Sequence, residues 1–135
     1  MIELREGVPG VNAPAPATYE EFWPYYVSQH LHPLTRVAHV TGTSLGIVLF
    51  VVAVLTSTWL LVPLAFAVGY GFAFASHFIW EGNRPATFGN PAWSFRADFR
   101  QLARFYTGRL GDDVAAVRAS LGLRPEHRTL ADAAA

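Results

Sequence analysis

The chain has 135 residues, a size typical of one domain, and 52% of them are hydrophobic while only 15% are charged. Its formal net charge is zero, so no polybasic surface covers the whole chain, and we expect no nucleic-acid partner. It contains no cysteine, which excludes disulfides, thiolate metal ligands and cysteine nucleophiles.

The N-terminal part of the sequence predicts a flexible lead followed by a helix. Residues 1–17, MIELREGVPGVNAPAPA, are rich in turn-forming residues. Thr18 and Glu21 have the spacing of a capping box, so a helix is expected to begin there. It should end near Leu31, because the residue before Pro33 avoids the helical region, and Pro24 should kink it.

A long uncharged segment follows this helix. No Asp, Glu, Lys or Arg occurs from Val37 to Trp80. A helix that crosses a bilayer needs about 20 apolar residues, so the segment predicts two spans, Val40–Leu55 and Trp59–Ile79, joined by a turn at 56–58. The predicted fold class is all-α: an integral membrane helical bundle built on a two-span transmembrane hairpin, about residues 38–80, with flanking amphipathic helices. A buried hairpin in a soluble helical bundle is the alternative.

The two spans would return the chain to the side of the membrane on which it started. Five arginines then share that side, and the turn carries no charge. They are Arg36, Arg84, Arg96, Arg100 and Arg104. The positive-inside rule predicts that both termini are cytoplasmic, in a bacterial inner membrane or an equivalent membrane.

Two more helices are expected after the turn-rich connector GNRPATFGNPAW, at residues 94–110, with Ser94 as the N-cap, and at residues 112–121. The first carries Arg96, Arg100 and Arg104 opposite its apolar stripe, on a face that either contacts anionic lipid or is simply solvated. Residues 18–122 thus form a single predicted helical membrane domain, and residues 123–135 a disordered tail. His127 lies in that tail and is expected to have no functional role.

Potential metal ligands flank the uncharged segment on both sides. SQHLHPLTRVAH contains His30, His32 and His39, and HFIWEGNRP contains His77 and Glu81. His77 and Glu81 are four residues apart and share one helix face. His30 and His39 would face opposite ways on one continuous helix, but Pro33 interrupts it. Because a hairpin returns to its starting level, we expect His30, His39, His77 and Glu81 to lie at the same depth.

Histidines with a carboxylate and without thiolates suit Fe(II), Mn or Zn, and an open site with two histidines and one carboxylate favours non-haem iron and dioxygen. Ionisable groups at membrane depth are candidates for function. Spacing alone does not select the metal. Three functions stay open at this point: an iron dioxygenase, a zinc-dependent lipid hydrolase, and a non-enzymatic membrane adaptor or lipid-binding hairpin with a structural histidine network.

Two segments of the sequence, FWPYYVSQHLHPLTRVAHVTGT and HFIWEGNRPATFGNPAWSFRADF, resemble the small membrane family of 2-hydroxy-fatty-acid dioxygenases. Its characterised fungal member acts on the fatty-acid branch of phytosphingosine breakdown. The resemblance extends from about Tyr19 to Leu110. It implies an Fe2+-dependent α-oxidation, in which dioxygen and a 2-hydroxy fatty acid give carbon dioxide and a fatty acid one carbon shorter.

The resemblance also implies roles for individual residues. His30, His39 and His77 match the recurrent histidines of the family and, with Glu81, are the expected metal ligands. Glu81, Asn83 and Pro85 match its E-x-N-x-P segment, and Asp98 matches the acid of its S-x-x-x-D segment.

Further roles follow from the chemistry expected at such a site. Glu81 and Asp98 are the expected catalytic carboxylates, which would orient the rings or supply a ligand. Arg84 or Arg36 would pair with the substrate carboxylate, Asn83 and His32 would complete the substrate site, and the acyl chain would run along the hairpin.

Overall fold

The computed structural model describes residues 16–126, and this part of the chain is all-helical, without a strand, as predicted. Its five α-helices are α1 (Tyr19–Ser28), α2 (Pro33–Thr56), α3 (Leu61–Ser76), α4 (Pro91–Tyr106) and α5 (Leu110–Ser120). A π-helical turn, His77–Glu81, continues α3, and a 3-10 turn, Ala86–Phe88, precedes α4. Most of the predicted lead and tail, including His127, lies outside the described residues.

Side chains and prolines set the helix ends near the metal-ligand candidates. The Thr18 hydroxyl accepts a hydrogen bond from the Glu21 amide at 3.3 Å, so α1 begins where the sequence predicts. Pro33 occupies the first position of α2, where its missing N–H costs nothing. The start predicted for α4 at Ser94 is wrong, because Pro91 takes the first position in the same way and Asn90 is the N-cap.

Helices α2 and α3 form the predicted hairpin, and Ser57 makes the turn in the left-handed conformation with φ of 54°. Both arms, Pro33–Thr56 and Leu61–Glu81, are long and apolar enough to cross a membrane. In an apolar window of 18 residues within each arm, only 28% of the first and 22% of the second is buried inside the protein. The core helices of a soluble bundle are mostly buried in the protein, whereas most of each window is exposed.

The two arms of the hairpin meet at glycines. A β-carbon added at Gly42 would lie 2.7 Å from Cβ of Phe72 and 3.1 Å from the carbonyl oxygen of Gly69. We therefore expect Gly42→Ala to lower the free energy of unfolding by about 1–3 kcal/mol, because the arms would have to move apart. Thermal or denaturant unfolding in detergent micelles measures the change.

Gly71 supplies the matched control on the same hairpin. A β-carbon at Gly71 meets no atom within 4 Å, so Gly71→Ala should leave stability unchanged or raise it by up to about 1 kcal/mol through helix propensity. Equal stability changes in the two variants would contradict close packing at Gly42.

A compact aromatic core lies at the open end of the hairpin, between α1, α4 and α5. Its largest members are Phe22, Trp23 and Tyr26 of α1. On α4, the Arg96 guanidinium stacks over the Tyr19 ring at 3.8 Å from its centroid, and Arg100 stacks over Trp23 at 4.4 Å. Both arginines remain exposed while their guanidinium groups pack on rings of α1, so this face is open to its surroundings and also joins α4 to α1.

Candidate metal centre

Three buried histidines meet where the hairpin joins this core. His30 lies in the link after α1, His39 in the second turn of α2, and His77 at the first position of the π-helical turn. Nε2 of His39 is 3.2 Å from Nε2 of His30 and 3.2 Å from Nε2 of His77. One ring nitrogen from each histidine falls within a set whose members all lie within 4.8 Å of one another, close enough to hold one metal ion.

The second ring nitrogen, Nδ1, of each histidine faces a hydrogen-bond acceptor. The pairs are His30 with the carbonyl oxygen of Tyr26 at 2.6 Å, His39 with Oδ1 of Asp98 at 3.2 Å, and His77 with Oδ1 of Asn83 at 2.7 Å. The amide orientation of Asn83 follows from its Nδ2, which donates to the carbonyl oxygen of Gln29 at 3.1 Å. Since all three partners accept, Nδ1 of each ring donates to its partner, and Nε2 is the nitrogen that each ring can offer to a metal.

The three Nε2 atoms face one another, and a cation between them would bind all three through their lone pairs. Burial, and to a lesser extent the neighbouring rings of His39 and His77, lowers the pKa of His30 well below its usual value, so this ring stays neutral. Histidine nitrogens bind metals at about 2.0–2.1 Å, which puts two ligands on one ion roughly 2.9–3.4 Å apart at angles between 90° and 109°. The observed separations of 3.2 Å fit that range.

Tyr26 extends the hydrogen-bond network and was missed by the sequence analysis. Its hydroxyl donates to Oδ1 of Asp98 and contacts Oε1 of Gln101 at 2.8 Å, and its ring stacks on His30 with centroids 4.0 Å apart. Burial, and then the adjacent Asp98 charge, raises the pKa of Tyr26 well above its usual value, so the hydroxyl keeps its proton. The four-residue spacing between Tyr26 and His30 was the available signal, because it places both on one helix face.

Glu81 and His32 do not join the three histidines. Oε1 of Glu81 accepts a hydrogen bond from the His32 backbone N–H at 2.5 Å. That amide lies just before the first turn of α2, and the buried carboxylate of Glu81 is the acceptor that reaches it. The His32 side chain caps α2 by accepting from the Leu34 N–H at 3.2 Å, and its ring stacks on Trp80.

Arg36 and Arg84, the two arginines expected to bind the substrate, lie in different environments. Arg36 donates to the carbonyl oxygens of His30 and Leu31 at 2.9 and 2.7 Å and forms an ion pair with Glu126 at 2.6 Å. Its guanidinium therefore ties the link after α1 to the end of the described chain. Arg84 is exposed and lies over the Phe88 ring. Asn83 is buried, and its amide contacts His77 and Gln29.

A comparison with protein-family models assigns the sequence to a family. A family model described as 2-hydroxy-palmitic acid dioxygenase Mpo1-like matches residues 16–110, well over half of the chain. The matched region includes all three histidines together with Asn83 and Asp98. No curated protein and no solved structure gives a significant match.

Proposed function

This chain belongs to the Mpo1-like family of 2-hydroxy-palmitic acid dioxygenases, and on that premise we propose that it oxidises 2-hydroxy fatty acids with dioxygen. The bond between carbons 1 and 2 of the substrate breaks, carbon 1 leaves as carbon dioxide, and carbon 2 becomes the new carboxyl carbon. The other product is water. The electrons lost by the two carbons reduce one molecule of dioxygen completely, so the reaction needs no external reductant.

The convergence of three buried imidazoles is the observation that carries this proposal. His30, His39 and His77 would hold iron(II) through Nε2, because nitrogen ligands without a thiolate suit that ion. When bound, iron(II) supplies a redox-active Lewis acid with coordination positions free for small oxygen ligands. The acceptors at Nδ1 keep each ring in the tautomer and orientation that binding requires.

Asp98 is proposed as the catalytic base as well as the partner of His39. Its contacts with His39 and Tyr26 both use Oδ1. The residue also lines a cavity beside the histidines, so its second oxygen, Oδ2, would accept the proton of the substrate hydroxyl. Glu81 has a positioning role in this scheme, because it joins the link before α2 to the turn that carries His77.

A bilayer setting is proposed for the hairpin. Its two arms expose large apolar side chains over most of their length, among them Val48, Leu55, Leu64 and Phe72. Such surfaces are stable in lipid and costly in water. The three histidines lie at the open end of the hairpin, on the side that carries the arginines, and we place that side in the cytoplasm.

Metal content and oxygen uptake together test the proposed activity. Protein loaded anaerobically with Fe(II) should bind about one equivalent of iron and consume one molecule of dioxygen for each carbon dioxide released from 2-hydroxyhexadecanoic acid. The product should have the mass of pentadecanoic acid. An oxygen electrode, a carbon dioxide trap and mass spectrometry measure these quantities.

The other two candidate functions give different results in the same measurements. Zinc also binds three histidines, and a zinc hydrolase would process lipid esters without consuming oxygen. A structural adaptor would bind less than about a tenth of an equivalent of any transition metal. Either result would overturn the dioxygenase proposal.

A further inference from the structure

An apolar cavity of about 530 Å³ lies against the hairpin, between α2, α3 and α4. This volume lies in the range of about 300–1,000 Å³ that small-molecule sites occupy in proteins. Its lining is mostly aliphatic and aromatic, with polar side chains from Thr43, Tyr70 and Asp98. An apolar cavity with a few polar groups favours an amphiphilic ligand. The positions of the polar groups then indicate where the head group of that ligand would lie.

The polar groups lie at the end of the cavity that adjoins the histidines. Thr43 is one helical turn after His39 on α2, and Tyr70 is two turns before His77 on α3, so each shares a helix face with a histidine. Asp98 belongs both to the cavity and to the histidine network, because its Oδ1 contacts Nδ1 of His39 at 3.2 Å. The cavity therefore adjoins the candidate metal centre through Asp98.

The opposite end of the cavity is apolar. Ile47 and Phe50 continue the His39–Thr43 face of α2, and Phe66 lies across from them on α3. Phe66 stacks on Phe95 of α4 with centroids 6.4 Å apart, which closes one wall with aromatic rings. Polarity thus falls along the cavity with distance from the histidines.

We propose that this cavity holds the acyl chain of the 2-hydroxy fatty acid, with the head group at Asp98, level with His39, and the chain directed past Thr43 and Ile47 toward Phe50 and Phe66. This inference rests on the proposed function and adds the location and direction of the substrate. It also makes Ile47 a determinant of the chain length that the protein accepts.

The rise of α2 sets the substrate chain length that would reach Ile47. From His39 to Ile47 α2 rises about 12 Å, at about 1.5 Å per residue. An extended chain advances roughly 1.2 Å per bond, so about ten bonds fit above Ile47. An eight-carbon substrate would end before this position, whereas a sixteen-carbon substrate must pass it.

Tryptophan at position 47 tests this arrangement through chain-length preference. We expect Ile47→Trp to lower the ratio of kcat/KM for 2-hydroxyhexadecanoic acid to that for 2-hydroxyoctanoic acid by about tenfold or more. Val48→Trp is the matched control, because Val48 is the next residue on α2, is 57% exposed and does not line the cavity. Its ratio should stay at the wild-type value. An Ile47→Trp variant that turns over both acids with the wild-type ratio would overturn the proposed location.

A binding measurement on the wild-type chain keeps the inference testable if a variant fails to fold or the oxygenase activity is absent. 2-Hydroxyhexadecanoic acid with a diazirine at mid-chain, photolysed with the protein in lipid nanodiscs, should label Ile47, Phe50 or Phe66. Excess unlabelled 2-hydroxyhexadecanoic acid should suppress that labelling. Labelling confined to outward residues such as Val48, or labelling that the competitor does not reduce, would show that the probe contacts only the outer surface of the hairpin, as any lipid would. Either result would overturn the inference. Competed labelling without oxygen uptake would refute the proposed function alone.

Discussion

Replacing His39 or His77 with alanine should abolish oxygen consumption and reduce bound iron to less than about a tenth of an equivalent. Each substitution removes one of three nitrogens that converge on a single point, and two remaining imidazoles give a much weaker site. Metal analysis after Fe(II) loading and an oxygen electrode measure the two effects.

The fold should survive these substitutions. Helix content by circular dichroism in detergent should match the wild type. His32→Asn is the matched control, because asparagine keeps an acceptor at the N-cap of α2 and His32 lies outside the three-histidine group. Full turnover in His39→Ala would remove that histidine from the site, and iron loss in His32→Asn would show that the group has been assigned wrongly.

Substitution of Asp98 should also have a large effect, on iron affinity and on kcat. In Asp98→Ala, Nδ1 of His39 loses its acceptor and the Tyr26 hydroxyl loses its partner, so iron affinity should fall about 10–100-fold. Asp98→Asn retains an oxygen that can accept from His39 but cannot take up a proton at neutral pH. This variant should keep most of its iron while its kcat falls by about 10²–10⁴.

Comparing the two variants separates positioning from proton transfer. Equal losses of iron affinity and of kcat in both would assign Asp98 to ring orientation alone. Asp113→Asn is the control for charge, because Asp113 pairs with Arg104 at 2.6 Å and takes no part in the histidine network. It should leave both quantities at the wild-type value.

Several features of the fold follow directly from local sequence. The uncharged segment from Val37 to Trp80 forms the predicted hairpin, and Thr18 caps α1 where the sequence predicts, but α2 begins at Pro33, seven residues before the span predicted from Val40. These features depend on helix capping, on the missing N–H of proline and on apolar length, all of which act over a few neighbouring residues. Local sequence could not place the start of α4, because proline and serine both favour helix N-termini and lie within one turn of each other.

The sequence by itself also determined that His30, His39 and His77 would meet, since a hairpin of two similar arms must return to its starting level. Only the tertiary structure decided what surrounds them. Tyr26 and Asp98 reach the rings because the aromatic core docks α1 and α4 beside the hairpin, while Glu81 turns to the His32 amide. Helical periodicity fixes which residues share a face of one helix. The rotation and depth at which separate helices pack depend on side chains distant in sequence, so the acceptor that each ring meets is decided only when the helices pack together.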